Sequence, residues 1–277
     1  METLIDYEMS NADYHDKSQH PHISSSDVKC VATESAVHWL GKERKESSAF
    51  AIGEAVHALI LEPHKDLVLE GPEDRRGKKW TDAKAKADEQ GKTLLTAREY
   101  HDATRMAKAA LKFSPILRDI VNAPNFVAEA SIFTHDEEFD MPVKCRPDGM
   151  LLPKAKGDKA VLIDIKTTID ASPSGFNRQI QKFRYDMQQV HYMRCLEWAG
   201  IPTESFYFVA VEKTAPFVTS VTELSELYAA YAEKAWKAAM SEIKEIQKQD
   251  EIALPWPDIN QAHLPSWLHD EVQDNPF

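Results

Sequence analysis

The segment VLIDIKT (161–167) constrains the fold most, because it places two charged side chains inside a run of β-branched apolar residues. A run of this kind predicts a buried strand. Asp164 and Lys166 are two residues apart, so a strand directs both side chains to one face and that of Ile165 to the other. Burial of charge is costly unless the charges are paired or bind a metal. The segment therefore predicts a functional site on a central strand.

A further carboxylate, Asp148, lies in the preceding turn RPDG (146–149). If the strands that flank this turn pair with VLIDIKT, then Asp148, Asp164 and Lys166 converge at one end of a sheet. Two carboxylates there form a hard oxygen site suited to Mg²⁺ or Mn²⁺, and the backbone carbonyl of Ile165 can add a ligand. Lys166 can orient an attacking water or stabilise a charged phosphoryl group. The alternative is a turn-closing aspartate beside a surface ion pair, but the apolar flanks of Asp164 favour the site.

The remaining pattern predicts an α/β fold with a mixed central sheet flanked by helices and with extra N-terminal helices. Helices are expected at 24–40, 48–61, 94–112, 183–199 and 222–248, and strands at 205–211 and 217–221. Residues 126–167 are expected to form a three-stranded antiparallel meander, and residues 71–92 an irregular surface loop. We expect an N-terminal extension over 1–22, a single domain over 23–257 and an acidic C-terminal tail over 258–277.

The overall charge limits how the chain can contact nucleic acid. It has 33 lysine and arginine residues against 45 acidic ones, for a formal net charge of −12. Because phosphate contacts need basic residues, any DNA contact is expected in a groove or channel whose local charge differs from the total. Three cysteines without paired spacing argue against a disulfide framework or a structural zinc site and favour a cytoplasmic location. No segment approaches the ~20 consecutive apolar residues of a membrane span, so no membrane partner is expected.

Taken together, the motifs resemble the PD-(D/E)xK nucleases, in particular the branch with RecE (exonuclease VIII), lambda exonuclease and the RecB nuclease domain. RPDG and DIKT are similar to the nuclease core. GEAVH (53–57) is similar to the G-x-x-x-H motif of that branch, and QQVHY (188–192) to its Q-x-x-x-Y helix. HISSSDVK and GEAVHALILEP look especially like RecE, which also has aspartate at the position of Asp164, where lambda exonuclease has glutamate.

The resemblance implies a PD-(D/E)xK (restriction-endonuclease-like) core and a set of site residues. The implied catalytic residues are Lys166, Asp148, Asp164, Glu129, Gln188 and Tyr192. The implied metal ligands are His57, Asp148, Asp164 and the backbone carbonyl of Ile165. Gln189 is an alternative to Gln188, and Glu129 can equally be a solvated strand residue.

The resemblance also implies an activity, a magnesium-dependent 5′-to-3′ exonuclease that degrades one strand of linear double-stranded DNA. It would leave 3′ single-stranded overhangs for a single-strand annealing protein of RecT type, in a bacterial host and of phage or prophage origin. A ring-shaped homo-oligomer, a tetramer or a trimer, is implied, and a basic channel in such a ring would reconcile DNA binding with the acidic total. The alternatives are a single-strand exonuclease, a structure-specific endonuclease or a catalytically inactive DNA-binding module.

Two groups of residues are candidates for DNA contact. Arg184 and Tyr185 precede the Q-x-x-x-Y motif and are expected beside the site. Residues of the basic segment can grip a strand backbone while an aromatic side chain stacks on a base, although most charge runs are simply solvated; these are Arg75, Arg76, Lys78, Lys79 and Trp80. The C-terminal Pro276-Phe277 resembles the acidic tip of bacterial single-stranded-DNA-binding proteins, which docks on partners, while the alternative is a frayed terminus.

Overall fold

The computed structural model describes residues 3–41 and 48–249, with positions 259, 261–263 and 265. Its helices are α1 (Asn11–His15), α2 (Ser25–Thr33), α3 (Ala36–Leu40), α4 (Ser48–Leu61), α5 (Gly77–Glu89), α6 (Ala97–Phe113), α7 (Pro115–Val121), α8 (Pro173–Phe183), α9 (Tyr185–Trp198) and α10 (Glu226–Ile246), with a 3₁₀ turn at Pro63–Lys65. Its strands are β1 (Leu4–Asp6), β2 (Val68–Glu70), β3 (Thr93–Leu95), β4 (Phe126–Ala128), β5 (Ser131–Asp136), β6 (Met141–Cys145), β7 (Gly149–Leu151), β8 (Ala160–Thr168), β9 (Thr203–Glu212) and β10 (Thr219–Thr222). No helix in this described part of the chain is long and apolar enough to cross a bilayer.

The central element is a five-stranded sheet in the order β10-β9-β8-β7-β4. The β8 and β9 strands are parallel, with Asp164 opposite Phe208, whereas the other neighbouring pairs are antiparallel. A parallel pair needs a long crossover connection, which α8 and α9 supply here. The predicted mixed sheet flanked by helices is therefore confirmed.

The alternation of side chains along β8 and β9 divides the interior into two cores. Leu162 and Phe208 belong to the core that contains residues of α2, α9 and α10. Ile163 and Ile165 belong to the core that contains residues of α4 and α6. Since Asp164 has the parity of Leu162, its side chain points toward α9, and the strand carries one acidic group into an otherwise apolar layer.

The predicted three-stranded meander over 126–167 is wrong, because this stretch forms five strands in two sheets. The β4, β7 and β8 strands belong to the central sheet, while β5 and β6 form a second sheet with β1. The chain passes from one sheet to the other at Glu129, whose φ is 52°. A left-handed residue ends the extended path, so the alternation from Phe126 to Thr134 does not correspond to one strand.

The prediction of an irregular loop over 71–92 is also wrong, since α5 occupies most of it. Alanine and lysine, which favour helices, fill the interior of this segment. The helix expected over 24–40 is two helices, because Ser35 caps α3 after α2 has ended at Thr33. An additional helix, α8, begins at a Ser172 cap with Pro173 in its first turn.

The N-terminal segment is held against the domain by two buried cations. Lys144 Nζ donates to the carbonyls of Tyr14 at 2.7 Å and His20 at 3.1 Å. Arg146 donates to the carbonyls of Met9 and Ser10. We call Lys144, Arg146 and these carbonyls the N-terminal clasp.

Candidate metal and nucleic-acid site

Three side chains from different elements meet at one end of the central sheet. His57 comes from α4, Glu129 from the β4–β5 junction and Asp148 from the turn between β6 and β7. One ligand atom of each lies within 4.8 Å of the others, and His57 Nδ1 is 3.3 Å from Asp148 Oδ2. Two carboxylates and one imidazole form a donor set suited to a divalent cation. We call these three residues the metal cluster.

Asp148 is fixed to the neighbouring strand by a backbone hydrogen bond. The Ile165 amide donates to Asp148 Oδ2 at 2.6 Å. The next residue, Gly149, begins β7 where a Cβ atom would lie 2.6 Å from the Phe126 ring and 2.8 Å from Ile163. A side chain at this position would separate the strands, so glycine keeps the turn close to β8. The structure thus brings Asp148 to the DIKT strand, while the Ile165 carbonyl stays a predicted ligand.

Glu129 occupies an unusual backbone conformation beside Asp148. Its φ is 52°, and its amide donates to the Asp148 carbonyl at 3.1 Å. Non-glycine residues in this region are strained by about 1 kcal/mol or more, and such strain concentrates at functional sites. Burial, followed by the negative charge of Asp148, raises the pKa of Glu129 to about 8. A bound cation would favour the charged form of both carboxylates, so the metal cluster fits a divalent ion.

Asp164 lies next to the metal cluster and is fully buried. Its Oδ1 forms an ion pair with Lys166 Nζ, and its Oδ2 accepts a hydrogen bond from Gln188 Nε2 at 2.5 Å. Burial and the charge of Asp148 raise the pKa of Asp164 to about 6, while Lys166 opposes the rise. Gln188 satisfies Oδ2, whereas Oδ1 has the ion pair with Lys166 but no hydrogen bond of normal geometry among the described residues. A cation would therefore reach Oδ1 in competition with Lys166. Its role as a metal ligand stays a prediction.

Lys166 is held between acidic and aromatic groups. Burial alone would lower the pKa of Lys166, but the charges of Asp164 and Asp148 outweigh burial and place it above its ordinary value. The ammonium is 4.9 Å from the centroid of the Tyr185 ring. Lys166 is therefore a fixed positive charge on the same strand face as Asp164.

The α9 helix brings Gln188 to this strand. The Gln188 side-chain amide donates a hydrogen bond to Asp164. The Gln189 side-chain oxygen is buried without a hydrogen-bond partner among the described residues. Tyr192 is 9% exposed and packs with its ring 6.2 Å from that of Phe206. Burial and nearby charges, including those of Asp164 and Asp148, raise the pKa of Tyr192 well above its ordinary value. Catalytic roles for Gln188 and Tyr192 stay predictions.

The candidate DNA contacts differ in how far their charges are already paired. Arg184 donates to both oxygens of Asp186 at 3.0 Å. Arg75 pairs with Glu99 at 2.7 Å and lies 5.1 Å from the Trp80 ring. The exposed residues Arg76, Lys78 and Lys79 lie at the start of α5. DNA binding by this basic segment stays a prediction.

The sequence pattern failed to identify one exposed aromatic residue near the site. Phe183 was expected to begin the helix over 183–199, but it lies outside α9 and is 46% exposed. It ends α8, and Arg184, with φ of 51°, separates it from α9. The helical phase of α9 therefore does not include Phe183, and a Phe183-Arg184-Tyr185 sequence gives no clear signal for such a break.

Comparison with known proteins bears on the family and the fold of the chain. The family described as "PDDEXK-like domain of unknown function (DUF3799)" matches residues 22–256, which is most of the chain. None of the curated proteins compared with the sequence matches it significantly. A crystal structure of a "Putative exonuclease" from Eubacterium rectale has a TM-score of 0.58 and 12% identity, and the alignment covers 95% of this chain and 98% of that chain.

A second structure, that of SSO0001, has a TM-score of 0.30 and 14% identity over 73% of this chain and 87% of that chain, which is too low to bear on the fold. At 12% identity the likeness to the Eubacterium rectale protein concerns the fold alone. Together with the family match, it confirms the predicted PD-(D/E)xK fold.

Proposed function

We propose that this chain, which belongs to the PDDEXK-like domain family, is a divalent-metal-dependent nuclease whose active site contains the metal cluster and the Asp164–Lys166 pair. The observation that carries the proposal is the convergence of His57, Glu129 and Asp148 within 4.8 Å, beside a buried aspartate and a partly buried lysine. These charges would be costly to retain in a purely structural role. A DNA phosphodiester is the substrate that uses all of them.

The residues divide the chemistry between them. His57, Glu129 and Asp148, with Asp164 after exchange of a partner, would hold Mg²⁺ or Mn²⁺. When bound, the cation acts as a Lewis acid on the phosphate and lowers the pKa of bound water. Lys166 places a positive charge where the phosphoryl group becomes more negative, and Gln188 orients Asp164 through its amide.

We further propose 5′-to-3′ exonuclease activity on linear double-stranded DNA, which leaves 3′ overhangs for a RecT-type annealing protein. The RecE-like motifs support this direction and this partner. A homo-oligomeric ring, a trimer or a tetramer, would concentrate basic side chains in a channel and keep the DNA threaded during successive cleavages. Mass measurement in solution with and without duplex DNA tests the ring.

The nuclease proposal is tested with linear and covalently closed duplex DNA in Mg²⁺, with and without chelator. We expect digestion of the linear form only, loss of digestion with chelator, and mononucleotide release from a 5′-labelled strand before a 3′-labelled one. Opening of the closed circle would show an endonuclease instead. Digestion of neither form by a protein that binds DNA would show an inactive binding module.

The test variant is Asp148→Asn, which has the same shape and keeps an oxygen acceptor for the Ile165 amide but removes the negative charge. We expect it to fold and to leave linear DNA intact. If Asp148→Asn digests DNA as the wild-type protein does, the metal cluster is not the active site.

A further inference from the structure

Two aromatic rings lead from Lys166 to the protein surface. The Tyr185 ring centroid is 4.9 Å from the Lys166 ammonium. The Phe183 ring stacks on it, with the centroids 5.7 Å apart and the planes at 28°. Phe183 is 46% exposed, so the outer ring reaches solvent. We call Lys182, Phe183 and Tyr185 the stacking patch.

The inner ring of the stacking patch is held rigidly by the core. Phe208 stacks on Tyr185 at 6.0 Å and 27°, and Phe176 lies 6.2 Å away. Both phenylalanines are fully buried. A ring fixed in this way loses little conformational entropy when a ligand stacks beside it. The inner ring therefore gives the exposed Phe183 ring a fixed partner on which to stack.

Positive charge accompanies the rings, although the chain as a whole has a net charge of −12. Lys182 Nζ is 5.4 Å from the Phe183 centroid, and Lys29 Nζ is 5.8 Å from the Tyr185 centroid. Lys166, which is ion-paired with Asp164, lies against the inner ring, so Lys182 is the cation that accompanies the exposed outer ring. Proteins that bind single-stranded nucleic acid combine such features, since bases stack on aromatic rings and cations meet the phosphates.

We propose that the stacking patch binds unpaired bases of a single DNA strand next to the metal cluster. The proposal rests on the proposed nuclease function and adds that the strand which enters the site is separated from its complement. A base inside a duplex already stacks on its neighbours and has no free face for Phe183. At a duplex end, stacking on Phe183 would offset part of the cost of unpairing the terminal bases.

The test uses the full-length protein with chelator present, so that binding is measured without hydrolysis. One probe is a single-stranded oligonucleotide with 2-aminopurine, whose fluorescence is quenched by stacking. The other is a relaxed, covalently closed circular duplex, which has neither ends nor unpaired bases. Wild-type protein should bind the single strand and quench the probe. Phe183→Ala and Phe183→Leu should weaken single-strand binding by roughly 5-fold or more and abolish the quenching. Phe183→Trp should retain both.

Phe113→Ala is the matched control. Phe113 is 47% exposed, and Lys112 Nζ lies 5.6 Å from its centroid, so it has the same aromatic–lysine arrangement at the end of α6. We expect its substitution to change neither binding nor quenching. Binding of the closed duplex should be the same for wild-type protein and the Phe183 variants.

Several results would overturn the proposal. The first is absence of binding or of quenching with the wild-type protein. The second is a loss of closed-duplex affinity in the Phe183 variants as large as their loss of single-strand affinity, or an effect of Phe113→Ala as large as that of Phe183→Ala. The third is a change of oligomeric state in the Phe183 variants while their single-strand affinity is unchanged. Digestion of linear duplex in Mg²⁺ separates this failure from that of the nuclease proposal. If wild-type protein digests DNA and the Phe183 variants bind like it, only the stacking patch is refuted. If wild-type protein leaves DNA intact but quenches the probe through Phe183, only the nuclease proposal fails.

Discussion

The N-terminal clasp and the metal cluster both contain charged groups inside the protein, but the surroundings of these charges differ. Lys144 is 2% exposed, and the carbonyls of Tyr14 and His20 accept its hydrogen bonds. In the metal cluster, two carboxylates face each other, and the pKa of Glu129 rises to about 8 through burial and the charge of Asp148. The chain itself supplies the acceptors of the clasp, whereas the cluster carries unfavourable negative charge that a proton on Glu129 or a bound cation relieves. This difference separates a structural site from a binding site.

The largest expected effect is on catalysis. Asp148→Asn and Lys166→Met should each reduce the rate of DNA digestion by about 100-fold or more. The first variant removes a ligand of the cation, and the second removes the positive charge that faces the phosphoryl group. Digestion of labelled linear duplex measures it. Lys144→Met should leave the rate per folded molecule unchanged. An Asp148→Asn variant that digests DNA at the wild-type rate would contradict the distinction between the metal cluster as a binding site and the clasp as a structural site.

Metal addition should stabilise the protein through the cluster. A ligand at 100 times its Kd raises the free energy of unfolding by about 2.7 kcal/mol. Thermal denaturation with increasing Mg²⁺, at constant ionic strength, should show this rise in the wild-type protein and a much smaller one in Glu129→Gln and Asp148→Asn. An equal rise in all three proteins would locate the bound metal elsewhere.

Loss of the clasp should lower the free energy of unfolding without changing the affinity for the divalent cation. In Lys144→Met the carbonyls of Tyr14 and His20 lose their donor inside the protein, so the free energy of unfolding should fall by roughly 1–3 kcal/mol. Urea denaturation measures the fall, and the exposed Lys112→Met serves as a control with little change. A clasp variant as stable as wild type would show that water replaces the ammonium at no cost.

A further expected effect is the pH dependence of stability without metal. Because the pKa of Glu129 is raised in the folded protein to about 8 from an ordinary 4.5, protonation favours the folded state. Its contribution is complete below the unfolded pKa and is lost as pH rises toward 8. Glu129→Gln should remove this decline, as measured by urea denaturation in chelator across that range. An unchanged decline would assign it to other groups.

The sequence predicted the elements whose residues carry a strong local pattern. The apolar run around Asp164 identified β8, and the two-residue spacing placed Asp164 and Lys166 on one face. The strand β9 and helix α10 were predicted for the same reason, since each has a clear period over many residues. The resemblance to the PD-(D/E)xK nucleases implied roles for His57, Glu129 and Asp148, which the structure brings together.

The sequence did not predict features that depend on single backbone angles or on tertiary packing. Glutamate does not favour positive φ, so the turn at Glu129 that sends the chain between two sheets has no local signature. The same holds for Arg184, whose left-handed conformation divides α8 from α9 and exposes Phe183. The α5 helix was missed because charged residues dominate its pattern, although its alanines favour a helix.

The central claim is that His57, Glu129 and Asp148 bind a divalent cation, and titration of Mn²⁺ into metal-free protein tests it most directly. Calorimetry or electron paramagnetic resonance should show a site in the wild-type protein that is weakened at least about tenfold in Asp148→Asn. The same affinity should persist in Lys144→Met. Undiminished Mn²⁺ binding by Asp148→Asn, or no binding by the wild-type protein, would contradict the account.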